Sequence, residues 1–241
     1  MGVYEASKRG IMALWYWYVR RLNSVWPTTT IEGRQFAVFP GVYRPLENEH
    51  ACAAYCREGD RVLDLGCGIG VGAIFCADKA GHVLATDISE TALRNAEENC
   101  RRHEVRNIDF LHSDMFDKID GEFDLVIANP PYIAADFADA ENQYATSVRY
   151  LPLLFDAIHD HLAPGGRLLV QYPAWFRGSL LKLAASHGMV LKEERRMPRK
   201  SLGLALTSLL YLQVGFRSTF FLFEPAAGKP AAQDAPKARA A

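Results

Sequence analysis

Five apolar runs, Arg61–Leu65, His82–Thr86, Ile108–His112, Phe123–Ala128 and Arg167–Gln171, punctuate the middle of this chain, with helical patterns between most of them. Strands separated by helices return in the same direction, because the crossover helix carries the chain back over the sheet. The alternation therefore predicts an α/β protein with a parallel sheet and helices on both faces. Glu90–His103 is one such helix, opened by Ser89 as N-cap. Ala163-Pro164-Gly165-Gly166 reads as the turn before the fifth strand. Met189–Arg195 and Ser218–Phe223 supply two more strands. The expected fold is a Rossmann-like, seven-stranded, mostly parallel sheet.

The 241 residues suffice for one such domain with some decoration. A net charge of −1 gives no global basic field for nucleic acid. Five irregularly spaced cysteines suit a reducing compartment, and the expected location is cytoplasmic. Cys52 and Cys56 lie one helical turn apart without a matching ligand pair, so they read as buried small hydrophobes, and no metal is expected. The aromatic N-terminus lacks a small-residue cleavage pattern, so no signal peptide is expected. No apolar run reaches the ~20 residues of a spanning helix.

Residues 7–26 read as an amphipathic helix ending before Pro27, with Ile11, Leu14, Trp15, Tyr18, Leu22, Val25 and Trp26 on its stripe. Packing on the domain or over its active site is the preferred reading. Tyr16 and Trp17, off the stripe, keep a membrane-surface or partner-binding helix as the alternative. Ser201–Gly215, led by Arg195-Arg196 and Arg199-Lys200, reads as a helical insert before the last strand. It would form a substrate wall or a dimer contact, with a basic membrane-surface patch as the alternative. Contact with a homodimer mate or another partner would run through residues 7–26 or 201–215. The expected divisions are 1–33 (helix and linker), 34–224 (domain) and 225–241 (disordered tail).

Val62-Leu-Asp-Leu-Gly66-Cys-Gly68-Ile-Gly70 is a strand entering a glycine turn and then a helix. Glycines tolerate positive φ and let a ligand approach the backbone. Gly68-Ile-Gly70-Val-Gly-Ala73 also fits the dinucleotide fingerprint. Asp64 opposes that fit, since a carboxylate beside the loop would repel a pyrophosphate and suit a cation. Asp87 ends the second strand, placed to accept both ribose hydroxyls. Asp114, followed by Met115, ends the third and can accept from an adenine amino group. Asp87 and Asp114 also suit helix N-caps or turns. After the fourth strand comes Asn129-Pro130-Pro131-Tyr132. Two prolines stiffen the turn and push Asn129 toward an extended conformation. The Asn129 side-chain oxygen and the Pro130 carbonyl can each accept one N–H, while Tyr132 offers a stacking face.

In this order the motifs resemble those of class I S-adenosylmethionine-dependent methyltransferases, from about Val38 to Gln171. The resemblance implies S-adenosyl-L-methionine as cofactor, bound by Asp64, Gly66, Gly68, Gly70, Asp87, Ile88, Asp114, Met115 and Asn129. Asn-Pro-Pro-Tyr is similar to the motif of the amino-methylating branch, which includes N6-adenine and release-factor glutamine methyltransferases. It implies Asn129, Pro130 and Tyr132 as catalytic residues. Tyr43 (in Pro40-Gly-Val-Tyr43-Arg-Pro45), Pro131 and Tyr132 are the expected acceptor-side residues. The chain departs from the release-factor type in lacking its Glu-Pro and Ala-Leu stretch after Tyr132 and its N-terminal recognition bundle. The implied acceptor is a nitrogen of a protein, RNA or small molecule. Alternatives are a small-molecule enzyme with a hydrophobic or amphiphilic acceptor, a nicotinamide-dependent oxidoreductase and a non-catalytic methyltransferase-like subunit.

Overall fold

The computed structural model describes residues 3–46, 48–131, 148–198, 202–212 and 218–226. Tyr132, Arg199, Lys200, Ser201 and almost all of the expected tail lie outside them. A seven-stranded sheet forms the centre. Its strands are β3 (Arg61–Leu65), β4 (His82–Asp87), β5 (Ile108–His112), β6 (Phe123–Ala128), β7 (Leu162–Pro173), β8 (Met189–Arg196) and β9 (Ser218–Pro225). They lie in the order β5-β4-β3-β6-β7-β9-β8. The first five in that order are parallel, and β9 pairs antiparallel with both β7 and β8. This is the mostly parallel sheet the alternation predicts.

Alternate residues of each central strand serve opposite faces. Val62, Leu125 and Leu169 face one core with α2 (Val71–Cys76) and α3 (Glu90–Arg102). Leu63, Val126 and Leu168 face the other with α4 (Tyr150–Ala157) and α5 (Arg177–Ser186). Cover on both faces explains why these strands are continuous apolar runs. Cys52 and Cys56 are buried in the first core, as small hydrophobes would be. At the amino ends of the strands, buried Arg167 pairs with Asp60 at 2.6 Å and donates to Tyr55 O at 2.7 Å. The chain leaves β3 for β4 on one side and comes back to β6 on the other. The crevice at the carboxyl ends of β3, β4 and β6 is therefore the place where such a sheet binds ligands.

Three features differ from the sequence expectation. A β-hairpin, β1 (Thr28–Ile31) with β2 (Arg34–Ala37), straddles residue 33, where the expected linker ends and the expected domain begins and where the sequence predicts no strand. Glu32 and Gly33 take φ of 46° and 78°, as a two-residue hairpin turn of matching twist requires. The turn at residues 163–166 is absorbed into β7, whose pairing with β6 shifts register between Phe123 and Leu125. Helix α1 (Val3–Val25) is rotated from the expected stripe. It buries Met12, Tyr16, Val19 and Asn23, while Ile11, Leu14, Val25 and Trp26 stay exposed. Asn23 sets this rotation. Its Nδ2 donates to Phe39 O and Val42 O, and its Oδ1 accepts from the Tyr211 hydroxyl. A buried amide with three partners outweighs one or two apolar contacts, because leaving it unpaired is costly.

The insert is helical, as expected: α6 spans Leu202–Leu210. Its C-terminal end and the Tyr211 that follows meet α1 through Trp15 Nε1 to Tyr211 O at 3.1 Å and Tyr18 Oη to Leu210 O at 3.0 Å, beside the Tyr211–Asn23 bond. Val19, Leu46 and Tyr211 make a small separate core between them. Among the described residues no helix is long and apolar enough to cross a membrane.

Candidate active site

A cavity of about 740 Å³ opens at the carboxyl ends of β3, β4 and β6. Asp64, Gly66, Gly68, Asp87, Ile88, Asp114, Met115, Asn129, Pro130, Pro131 and Tyr43 all line it. Motifs far apart in the chain thus share one space. Tyr132 lies outside the described residues. Gly70 is off the wall. It ends the turn at φ 84° and serves as N-cap of α2, where a Cβ would stand 3.1 Å from Ala96 Cβ.

The glycine turn is held from below. Gly66 N and Cys67 N both donate to Thr86 O, at 2.9 and 2.8 Å. Asp87 then grips the turn from the side. Its two carboxylate oxygens accept from Gly68 N at 3.0 Å and Ser89 N at 2.9 Å. Burial pushes the Asp87 carboxyl above its ordinary value, and backbone N–H groups of Ser89, Gly68 and Ile88 pull it back. Asp64 accepts from Ala73 N at 2.8 Å, which caps the first turn of α2. Burial raises its pKa to about 7, the Ala73 N–H opposes that rise, and the nearby Asp87 charge adds to it. Gly72 is the space that lets this happen, since a Cβ there would lie 2.9 Å from Asp64 Oδ2 and 2.8 Å from Ile127 Cδ1.

The adenine-side stretch carries backbone strain. Met115 has φ 48°, a left-handed conformation that a long side chain rarely adopts. Ser113 stabilises it, its hydroxyl donating to Met115 O at 3.0 Å and accepting from Lys118 N at 3.1 Å. Asn129 follows β6. The register pairs Ala128 with Val170, so the next residues along are Asn129 and Gln171. Gln171 is buried, lines the cavity and donates to Ser218 Oγ at 3.0 Å.

Several residues on or behind the wall carry no signal that sequence reading picks up. Tyr150, at the start of α4, donates its hydroxyl to Leu65 O at 2.5 Å and lies across Gly66. Burial, then the charges of Asp64 and Asp87, drive its phenol well above the ordinary range. Arg149 reaches Asp114 Oδ2 at 3.4 Å. Asn95 and Asn99 of α3 are fully buried. Asn99 bonds to both the N–H and the carbonyl of Ala37 and to Ile69 O, and Asn95 to Ala37 O and Phe39 N. One helix face thereby ties the glycine loop to the segment leading into Tyr43. Their spacing of four residues is the one clue in the sequence, and many helices show it without such a role.

The outer end of the cavity is apolar. Ile11, Leu14, Trp15, Trp17 and Tyr18 of α1 border it, with Leu212 beyond α6. The N-terminal helix packs over the cavity, which was its preferred reading from sequence.

Solved structures share this architecture. A ribosomal protein L11 methylase from Lactobacillus delbrueckii subsp. bulgaricus gives a TM-score of 0.57 at 19% identity, covering 78% of this chain and 84% of that one. The tRNA m1G37 methyltransferase of M. jannaschii gives 0.59 at 18% identity, covering 83% of this chain and 56% of that one. These likenesses define the class of fold, a Rossmann-like methyltransferase fold.

Sequence relatives define the family. The methyltransferase small domain matches residues 51–178. A chain of Methanocaldococcus jannaschii, provisionally named a protein N5-glutamine methyltransferase, is 30% identical over 190 residues, covering 77% of this chain and 92% of that one. The release factor glutamine methyltransferase of Haemophilus influenzae is 30% identical over 146 residues, or 56% of this chain and 49% of that one. The present chain thus spans nearly the whole of the first relative and about half of the second. It belongs to the methyltransferase small domain family and is a class I, S-adenosylmethionine-dependent methyltransferase.

Proposed function

We propose that the chain transfers a methyl group to an amide or amine nitrogen held at Asn129 and Pro130. The observation that carries this reading is the shared cavity. The stiff Asn-Pro-Pro turn and the acid-flanked glycine turn line one space at the strand ends. The wall suits S-adenosylmethionine. Gly66 and Gly68 present backbone without side chains, and Asp64 and Asp87 present carboxylates. Buried Thr86 Oγ1 on the same wall has no partner within the described protein. In this placement Asp87 takes the ribose, Ile88, Asp114 and Met115 the adenine, and Asp64 the cationic amino-acid end. When bound, S-adenosylmethionine supplies a methyl group already activated on a sulfonium.

The protein's remaining task is positioning. An amide or aryl amine nitrogen is a poor nucleophile because its lone pair is delocalised. The Asn129 side-chain oxygen and the Pro130 carbonyl accept its two N–H bonds and favour the positive charge that builds on nitrogen. Tyr132 would hold the acceptor's plane, and Tyr43 and Pro131 its flanks. No base is needed before transfer, since the proton leaves afterwards. The names of the two glutamine-methylating relatives support an amide acceptor. The apolar outer end of the cavity favours a second reading, an amphiphilic acceptor whose tail lies along α1.

The test is transfer of labelled methyl to fractionated extract, followed by the same assay with Asn129→Ala. Turnover is expected to fall roughly a hundredfold or more, far more than affinity for S-adenosylhomocysteine read by calorimetry. Equal loss of both would remove Asn129 from the acceptor side.

A further inference from the structure

Helices α1 and α6 form a second surface that methyl transfer does not explain. Ile11, Leu14 and Trp17 on α1 are 68%, 66% and 56% exposed, and Leu206, Leu209 and Leu212 in and beyond α6 are 58%, 54% and 62% exposed. Four of these six also border the cavity, so the apolar face begins at the mouth of the active site. Hydrogen bonds from Trp15 and Tyr18 to the carbonyls of Tyr211 and Leu210 join α1 to the C-terminal end of α6.

Charge on the two segments is of one sign. Residues 10–26 contain Arg20 and Arg21 and no acid. Residues 195–212 contain Arg195, Arg196, Arg199 and Lys200 and no acid, with Arg196 4.0 Å from Glu194 just before them. The whole chain is at −1, so this basic bias is local. Arg21 lies 5.8 Å from the centre of the exposed Trp17 ring, and exposed Trp26 follows the helix directly. Outward-facing leucines, tryptophans and arginines on a helix make the pattern of a segment lying in a lipid headgroup region. Nor does α6 offer a polar group to fix a protein partner's register. Thr207 donates its hydroxyl back to Gly203 O, and Ser208 is buried. A second copy of the chain would bring its own basic segments to this face and cover the cavity mouth.

We propose that the α1–α6 face docks on an anionic lipid surface, with the cavity mouth opening toward the bilayer. Docking is measured without any methyl acceptor, so its test stands apart from that of the proposed transfer. It would confine the enzyme to acceptors presented at that surface.

The test needs no methyl donor. The full chain is mixed with vesicles of phosphatidylcholine and phosphatidylglycerol at a roughly 70:30 ratio, or of phosphatidylcholine alone, and followed by sedimentation and tryptophan emission. Binding to the mixed vesicles is expected, with a blue shift and with weakening by salt. Leu206→Asp with Leu209→Asp is expected to raise the lipid needed for half-binding roughly a hundredfold or more. Arg21→Glu is expected to raise it roughly tenfold on mixed vesicles and to leave phosphatidylcholine unchanged. Circular dichroism and S-adenosylhomocysteine binding check that each variant is folded. If the aspartate pair fails to fold, Arg21→Glu and the salt dependence decide alone. Three results would overturn the proposal. One is no partition of the wild-type chain at millimolar lipid. Another is binding that Arg21→Glu and salt leave unaltered. The third is a dimer in light scattering that Leu206→Asp with Leu209→Asp dissolves, which would assign the face to a second copy.

Discussion

Replacing Asp64 with Asn is expected to change how stability depends on pH across the physiological range. The Asp64 carboxyl is 7% exposed, and burial raises its pKa from 3.8 to about 7. Well below pH 3.8 the group is protonated in both folded and unfolded chains and contributes no slope. Between pH 4 and 7 the unfolded chain ionises first while the folded chain keeps its proton. Unfolding then releases a proton, so stability falls as pH rises. Above pH 7 the deficit is constant. A displacement of about three pH units, each worth about 1.4 kcal/mol, amounts to about 4 kcal/mol. Asn keeps an oxygen for Ala73 N–H but adds a buried NH₂, so its offset at acid pH is not the test. The quantity to measure is the stability difference between variant and wild type, by urea denaturation from pH 4.5 to 8. Over that window it is expected to move in favour of Asn by about 3 kcal/mol, the rest of the displacement lying below pH 4.5. A difference that stays flat within about 1 kcal/mol would refute the reasoning. Under the proposed cofactor placement, a cationic amino group beside Asp64 draws its pKa back down. Binding near pH 6 then releases a proton in the wild type and none in Asp64→Asn, as calorimetry in two buffers would read.

Other substitutions separate binding from folding. Asp87→Ala removes an acceptor of two backbone N–H bonds along with the proposed ribose contact. S-adenosylhomocysteine affinity is expected to fall roughly tenfold or more, with a smaller effect on turnover at saturating cofactor. Arg167→Ala strands Asp60, whose side chain is 9% exposed. The expected loss is about 3–5 kcal/mol in urea, with cofactor affinity of the folded protein unchanged because the pair lies at the amino ends of the strands. Asn99→Ala leaves Ala37 N and Ile69 O short of their partner. About 2–3 kcal/mol of stability is expected to go, together with cofactor affinity, because the glycine loop loses its brace.

The sheet was legible because its information is local and redundant. The central parallel strands β3, β4, β6 and β7 are apolar on both faces and are bounded by glycine or proline. The cavity was legible for a related reason. Strand ends in such a sheet converge on one crevice, so an acid or an Asn read at a strand end is already placed in it. The hairpin at Thr28–Ala37 escaped because its two strands are only four residues each, and its turn, Glu32-Gly33, is not among the commonest hairpin pairs. The rotation of α1 escaped because hydrophobic periodicity weighs every apolar residue alike, whereas one buried Asn decided which face turned inward.

By itself the sequence determined the strand–helix alternation, the glycine turn and the acids flanking it, and therefore the class of fold and of chemistry. These depend on backbone conformation and on residues at strand ends, which neighbours in the chain dictate. Tertiary structure alone decided what surrounds that chemistry. Tyr150 lies over Gly66, Asn95 and Asn99 brace two loops from behind, and α1 meets α6 across 192 residues of chain to form the apolar mouth. Such contacts depend on which surfaces meet after the sheet has formed, and hydrogen-bond geometry between distant segments leaves no period or motif in the sequence.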